Sequence, residues 1–243
     1  MLSVRGTQLI EPKTWWRDYT GRFKQRPFYE DAAMEAAASA LAREHIGDTL
    51  KWPLTDDDLD TLADFSTASF DRGRDMSALG FEADAVTIFS QTGLPKMILS
   101  DALSTANMRL RRRMTIAHEL GHIVLHQPLY GGDHRQLDLL SEYRAIPAYC
   151  HEAMSKATVD WCEWQASYFG GALLAPRAEI PQVLGEAGQS ADSEQDGTVR
   201  AIAMIAKIAK HFQISRDAAR VRLAQIGLII PAGTEVLPIA DSA

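Results

Sequence analysis

Cysteine is nearly absent: Cys150 and Cys162 are the two thiols in 243 residues. That excludes a disulfide-stapled scaffold and a zinc site built from four thiolates. With no apolar export core among the first twenty residues, it fits a reducing cytoplasm. Long hydrophobic runs are lacking too, the longest pieces being Ile202 to Ile205 and Ala172 to Pro176. A bilayer span needs about 18–20 apolar residues, so no membrane is expected as a partner. Positive charge is in deficit, with 25 Lys plus Arg against 32 Asp plus Glu and a net charge of -7. A chain this acidic binds nucleic acid or anionic lipid poorly in a nonspecific way, and any nucleic-acid surface has to be local. No internal repeat is visible. The 46% apolar content suffices for a real core in a chain of this length.

Residues 1–48 read as an arm followed by a helix. The arm interleaves Trp15, Trp16, Tyr19, Phe23, Phe28 and Tyr29 with Arg17, Arg22, Lys24 and Arg26, a pattern that suits docking on the body of the protein better than stacking on nucleic acid. An alanine-rich helix over Asp31 to Ile46 follows, with Asp31 as N-cap and Gly47 as stop. Thr55 then precedes Asp56, Asp57 and Asp58, whose charges favour the positive end of a second helix. Phe81 to Phe89 and Lys96 to Leu99 flank a Gln91-Thr92-Gly93-Leu94-Pro95 turn and predict a hairpin. Ser104 or Asn107 caps a long helix with an apolar stripe of Leu110, Met114, Ala117, Gly121 and Val124. Another helix runs over Val159 to Leu174 and stops at Pro176. Glu186 to Thr198 reads as a linker, and Val199 to Gly227 as two short helices broken near Gln213-Ile214-Ser215, with Ser215 capping the second.

The chemistry lies in His118-Glu119-Leu120-Gly121-His122, an HExxH pattern. Two histidines one helical turn apart project from one face toward one metal, and neutral imidazoles at that spacing suit zinc. Glu119, between them, would not coordinate the ion but would take a proton from its activated water. A catalytic zinc needs a third protein ligand and an open position. His126 lies about 12 Å of rise and some 80° of rotation from His118, which suits a supporting or packing role. His134 lies in the loop after Gly131-Gly132 and is an alternative. Glu163 is preferred, because a second helix can hold a carboxylate rigidly against the first.

The stretch from Arg113 through His118-Glu119-Leu120-Gly121-His122 to His126, then Glu163-Trp164-Gln165-Ala166-Ser167-Tyr168-Phe169 and Leu173-Leu174-Ala175-Pro176, resembles the ImmA/IrrE family of metallo-endopeptidases. The likeness covers about residues 50–180 well and the end of the chain more loosely. It implies one zinc ion per chain held by His118, His122 and Glu163, with Glu119 as catalytic base. Where the family usually has Asn and Ala, this chain has Ser167 and Gly170; Ser167 can still hydrogen-bond behind the ligands. The resemblance also implies regulated cleavage of a protein substrate, a helix-turn-helix repressor. The expected fold is α+β: a zincin-like metallopeptidase core over residues 49–185 with a small β-sheet, the HExxH helix and a glutamate-bearing second helix, plus helical additions at both ends. The expected substrate path is the edge of the strand at Phe81 to Phe89, where main-chain hydrogen bonds hold an extended peptide.

Residues 199–243 form a helix-turn-helix-like segment. Arg200, Lys207, Lys210, Arg216, Arg220 and Arg222 there face the single acid Asp217 between residues 199 and 227. That leaves two readings, a DNA-binding regulator with the zinc domain as sensor, or helices packed on the catalytic core, and the apolar positions Ile205, Ile208, Phe212, Val221, Leu223 and Ile226 favour packing. Arg109, Arg111, Arg112 and Arg113 crowd the positive end of the long helix, so they call for compensating acids or a substrate carboxylate. Cys162 would point about 100° away from Glu163 on its helix and, like Cys150, reads as an idle thiol. Tyr143, Tyr149 and His151 are candidates to stabilise the oxyanion of a tetrahedral intermediate.

Overall fold

A computed structural model of the protein describes residues 3–4, 7–8, 10–20, 23–76, 83–90, 93–131, 160–185 and 197–230. At the start, β1 (Ser3–Val4) and β2 (Thr7–Gln8) form a minimal antiparallel pair. β3 (Thr14–Arg17) and β4 (Gln25–Phe28) form a second one, with Thr14 opposite Phe28 and Arg17 opposite Gln25. Trp16 stacks on Phe28 at 4.1 Å between centroids. The Arg26 guanidinium lies 5.1 Å from the Trp16 ring and 4.9 Å from that of Trp161. Arg26 thus ties the arm to the body of the protein.

Helix α1 (Asp31–Ile46) buries Met34, Ala37, Ala38, Leu41 and Ala42 and ends at Gly47, whose φ of 72° is open to glycine. Its N-cap is Glu30, one residue before the expected Asp31, and no side chain caps it. Asp31 acts instead as an anion inside the first turn, where the helix dipole favours it. α2 (Asp56–Ser66) starts with a capping box in which the Thr55 hydroxyl accepts from the Asp58 amide and Asp58 accepts from the Thr55 amide.

The main sheet has three strands in the order β5 (Ser69–Arg74), β7 (Lys96–Ser100), β6 (Ala85–Ile88). β6 and β7 pair antiparallel with Ala85 opposite Leu99 and Ile88 opposite Lys96, the hairpin expected from sequence. β5 pairs parallel with β7 and was not expected. Its residues Ser-Phe-Asp-Arg-Gly-Arg contain one buried side chain, Phe70, so an edge strand of this composition carries almost no hydrophobic alternation.

The long helix α3 (Arg109–Gly131) begins later than a Ser104 or Asn107 cap would place it. Two 3-10 turns, Asp101–Ser104 and Ala106–Met108, occupy the approach, and Ser100 caps the first by accepting from the Ala102 amide. α3 runs on through Pro128, which has no N–H to offer the preceding turn. Its basic start is neutralised from within. Arg109 and Arg113 both pair with Asp56, Arg112 pairs with Asp60 and Arg111 with Asp84. Arg113 is fully buried and also donates to the carbonyls of Leu54 and Gln213. The compensating acids are the protein's own, and α2 supplies two of them, Asp56 and Asp60.

α4 (Trp161–Leu174) is capped by Asp160, which accepts from the amides of Cys162 and Glu163. It packs antiparallel on α3 at closest range where glycines allow. A Cβ on Gly121 would lie 2.8 Å from the Ala166 carbonyl oxygen, and one on Gly170 would lie 3.1 Å from the His118 nitrogen. After the short α5 (Ile180–Leu184) come α6 (Gly197–Phe212) and α7 (Arg216–Gln225), the latter capped by Ser215. α6 takes in Gly197 and Thr198, which the sequence had assigned to the linker; residues 186–196 lie outside the described ones. Ile208, Phe212 and Leu223 are fully buried in the same hydrophobic cluster as the inner faces of α1, α3 and α4.

Candidate metal centre

His118, His122 and His126 follow one another at four-residue spacing on α3, and all three are buried. From α4, Glu163 reaches the same place. Glu163 Oε2 lies 3.2 Å from His118 Nε2 and 3.4 Å from His122 Nε2, and the two Nε2 atoms are 3.0 Å apart. A tetrahedral zinc with ligand distances of about 2.0–2.1 Å spaces its donors about 3.3 Å apart. The triangle therefore fits the ion in both size and donor chemistry, and His118, His122 and Glu163 form a buried group able to hold a metal.

The side chains behind the triangle come from both helices. Ser167 Oγ is 3.2 Å from His118 Nδ1. With His118 Nε2 turned to the triangle as a lone pair, Nδ1–H donates and the hydroxyl accepts. His126 does not join the triangle, as its rotation on α3 implied; its Nδ1 lies 2.9 Å from His122 Nδ1 and its Nε2 lies 3.0 Å from Gln165 Oε1. Glu163, Gln165 and Ser167 are three polar side chains in a largely apolar helix, and each contacts the histidines. Sequence reasoning passed over Gln165, although a lone amide among apolar residues was the available signal.

Glu119 is fully buried. Its Oε2 accepts a 2.5 Å hydrogen bond from the hydroxyl of Thr87 on β6. Its Oε1 has no hydrogen-bond partner among the described residues, and a buried acceptor left in this way marks a place for a missing ligand or water. The alternation of β6 explains Thr87: Val86 and Ile88 pack with Met76 and Ile98 on one face, which turns Ala85 and Thr87 toward α3. No motif announces a threonine in that role.

The two carboxyls of the site are driven in opposite directions. Burial pushes the Glu119 carboxyl above its ordinary range, against the opposing pull of His122, His118 and the Thr87 hydrogen bond. Burial would raise Glu163 as well, but the imidazoles of His122 and His118 against its Oε2 outweigh it and hold it well below the usual carboxylate range. The environments of two carboxyls in one site thus push their proton affinities apart.

Tyr143, Tyr149, His151, His134 and Cys150 lie outside the described residues. Cys162 is a buried free thiol. Among the described residues no helix is long and apolar enough to cross a membrane.

A helix pair that presents such a donor set beside a small mixed sheet defines a zincin-like metallopeptidase. Comparison of sequences makes the assignment particular. The family model described as Peptidase M78, IrrE N-terminal-like domain, matches residues 80–224, more than half of the chain, and the protein belongs to this family. The match takes in α3, α4, α6 and most of α7, and leaves the N-terminal hairpin and α1 outside. No curated protein matches the chain.

Proposed function

We propose that the protein is a cytoplasmic zinc endopeptidase that cuts an extended segment of a regulatory protein, with a helix-turn-helix repressor as the substrate class implied by the ImmA/IrrE resemblance. The observation that carries this reading is the His118, His122 and Glu163 triangle, with edges of 3.0, 3.2 and 3.4 Å, set beside a buried carboxylate with one oxygen to spare. The three side chains would hold one ion per chain. When bound, zinc supplies Lewis acidity that polarises a carbonyl and acidifies water. Glu119, with Oε2 tied to Thr87, uses Oε1 to accept the proton of the attacking water and passes it to the departing amine. Ser167 and His126 keep the two imidazoles turned inward. Substrate backbone pairs with the outer edge of β6, which has no neighbouring strand among the described residues, so recognition makes small demands on side chains. Tyr143, Tyr149 and His151 remain the candidates for the oxyanion.

The regulator reading has fewer cations to work with. Arg222 is buried and bonded to Glu35 and the Ala175 carbonyl, and the Lys207 ammonium donates to the Leu184 carbonyl. We expect no salt-dependent DNA affinity from α6 and α7. The test is zinc content and cleavage of a co-expressed cognate repressor by wild type, Glu119→Gln and Glu163→Ala. The expected outcome is one zinc and cleavage for wild type, zinc without cleavage for Glu119→Gln, and loss of zinc for Glu163→Ala. Full cleavage by Glu119→Gln refutes the assigned chemistry.

A further inference from the structure

His122 and His126 face each other through Nδ1 atoms 2.9 Å apart. Between two neutral imidazoles at that distance one nitrogen carries the hydrogen and the other accepts it. The far end of the chain of contacts decides which. Gln165 Nε2 lies 3.0 Å from the carbonyl oxygen of Pro27 on β4. A carbonyl can only accept, so the NH2 end of the amide faces β4 and Oε1 faces α3. Oε1 also only accepts, so His126 Nε2, 3.0 Å away, carries a hydrogen. The other nitrogen of a neutral His126 is then a bare acceptor, and His122 Nδ1–H donates to it. His122 Nε2 is left as a lone pair, the form a metal ligand needs, turned toward His118 and Glu163. His122, His126 and Gln165 are all buried, so bulk water does not compete for these hydrogens.

We infer that Gln165, anchored on the Pro27 carbonyl, is a positioning residue that sets the tautomer of His122 through His126, which makes the N-terminal hairpin a working part of the metal centre although it lies outside the family match. A second tie supports this. Tyr29, just after β4, donates to the Leu125 carbonyl of α3 at 2.7 Å, so the segment that fixes the amide is itself fixed to the helix bearing the histidines. The inference rests on His122 being a metal ligand.

The test uses the full chain with Gln165→Met, which keeps the bulk and removes both hydrogen bonds, and Gln165→Glu, which keeps the acceptor toward His126. Zinc affinity is read by chelator competition, and the histidine tautomers of the zinc-stripped protein by long-range 1H–15N spectra. For Gln165→Met the expected result is a Kd for zinc raised about 10–100-fold and loss of the uniform Nδ1–H form of His122. Gln165→Glu is expected to keep the wild-type tautomers and most of the affinity. Equal losses in the two variants, or a Gln165→Met protein with zinc affinity within twofold of wild type and unchanged tautomers, overturn the inference. Should Gln165→Met fail to fold, Gln165→Glu decides alone, since His122 in mixed tautomers there overturns it too. Wild type that binds no zinc at all overturns the underlying metal reading instead, and shows this before any variant is compared.

Discussion

Gly121 sits between the two histidines of α3 and faces Ala166, which sits between Glu163 and Ser167 of α4. Replacing it by alanine puts a Cβ 2.8 Å from the Ala166 carbonyl oxygen, 2.9 Å from the Ala166 Cα and 3.2 Å from the Phe169 Cβ. Two of these atoms are backbone and cannot rotate aside. To restore an ordinary contact of about 3.4 Å, α4 has to withdraw by about 0.6 Å. Overpacking of this kind costs about 1–3 kcal/mol, and the gain from alanine over glycine inside a helix is about 1 kcal/mol. With rigid neighbours the upper part of the range applies, so the net loss is about 1–2 kcal/mol, or roughly 2–8 °C in Tm for a domain of this size. The displacement acts on the metal site as well, because ligand distances hold to about 0.2 Å in a working site; zinc affinity is expected to fall at least tenfold. Thermal unfolding of the zinc-stripped protein and chelator competition measure the two effects separately. Gly170→Ala is the internal control. Its Cβ would meet Ala117 and His118 backbone atoms at 3.1 Å, a relief of a few tenths of an ångström, and its stability is expected to stay within about 1 kcal/mol of wild type. A Gly121→Ala protein with unchanged Tm and zinc affinity would refute the claim that this close approach sets the ligand triangle.

Two further perturbations follow from the same geometry. Thr87→Val removes the hydrogen bond that holds Glu119 Oε2; because bonds to charged groups are worth about 1.5–3 kcal/mol, kcat is expected to fall at least tenfold with zinc content and KM little changed, and Thr87→Ser should recover most of it. A KM effect without a kcat effect would assign Thr87 to substrate binding instead. Burial raises the Asp56 carboxyl, but hydrogen bonds and charge from Arg109 and Arg113 outweigh this and bring it below its ordinary 3.8. A depressed carboxylate contributes stability above its unfolded pKa and loses it as the pH drops through the folded one. Denaturant unfolding should therefore show wild type more stable than Asp56→Asn at neutral pH, with the gap closing below about pH 4; a gap constant from pH 7 to pH 3 would count against the pairing.

What the sequence made legible is what obeys a short-range rule. HExxH needs one turn of helix, the Thr55 and Ser215 caps need three residues, and the hairpin needs a turn between two β-branched runs. Glu163 came from its place in a second motif. β5 stayed hidden because its partner β7 lies a strand away in sequence and its own residues are half charged. Thr87 and Gln165 were illegible for a related reason: each gains its role from a neighbour on another element, 32 residues distant for Thr87 and 138 for the Pro27 carbonyl that anchors Gln165. The acids that the arginines at 109–113 call for lie on α2 and before β6, and only the fold brings them close.

Glu35 of α1 accepts from Arg222 of α7 at 2.5 Å and from Tyr168 of α4 at 3.2 Å. Translation emits these residues in order at about 5–20 per second, so about 10–40 s separate the appearance of Glu35 from that of Arg222. α4 is complete only at Leu174, so for the last 48 residues of that interval, about 2–10 s, the growing chain holds α1 and α4 without the cation that locks them together. A ribosome-bound fragment that stops before α7 carries His118, His122 and Glu163 without the clasp that joins α1 and α4 to α7.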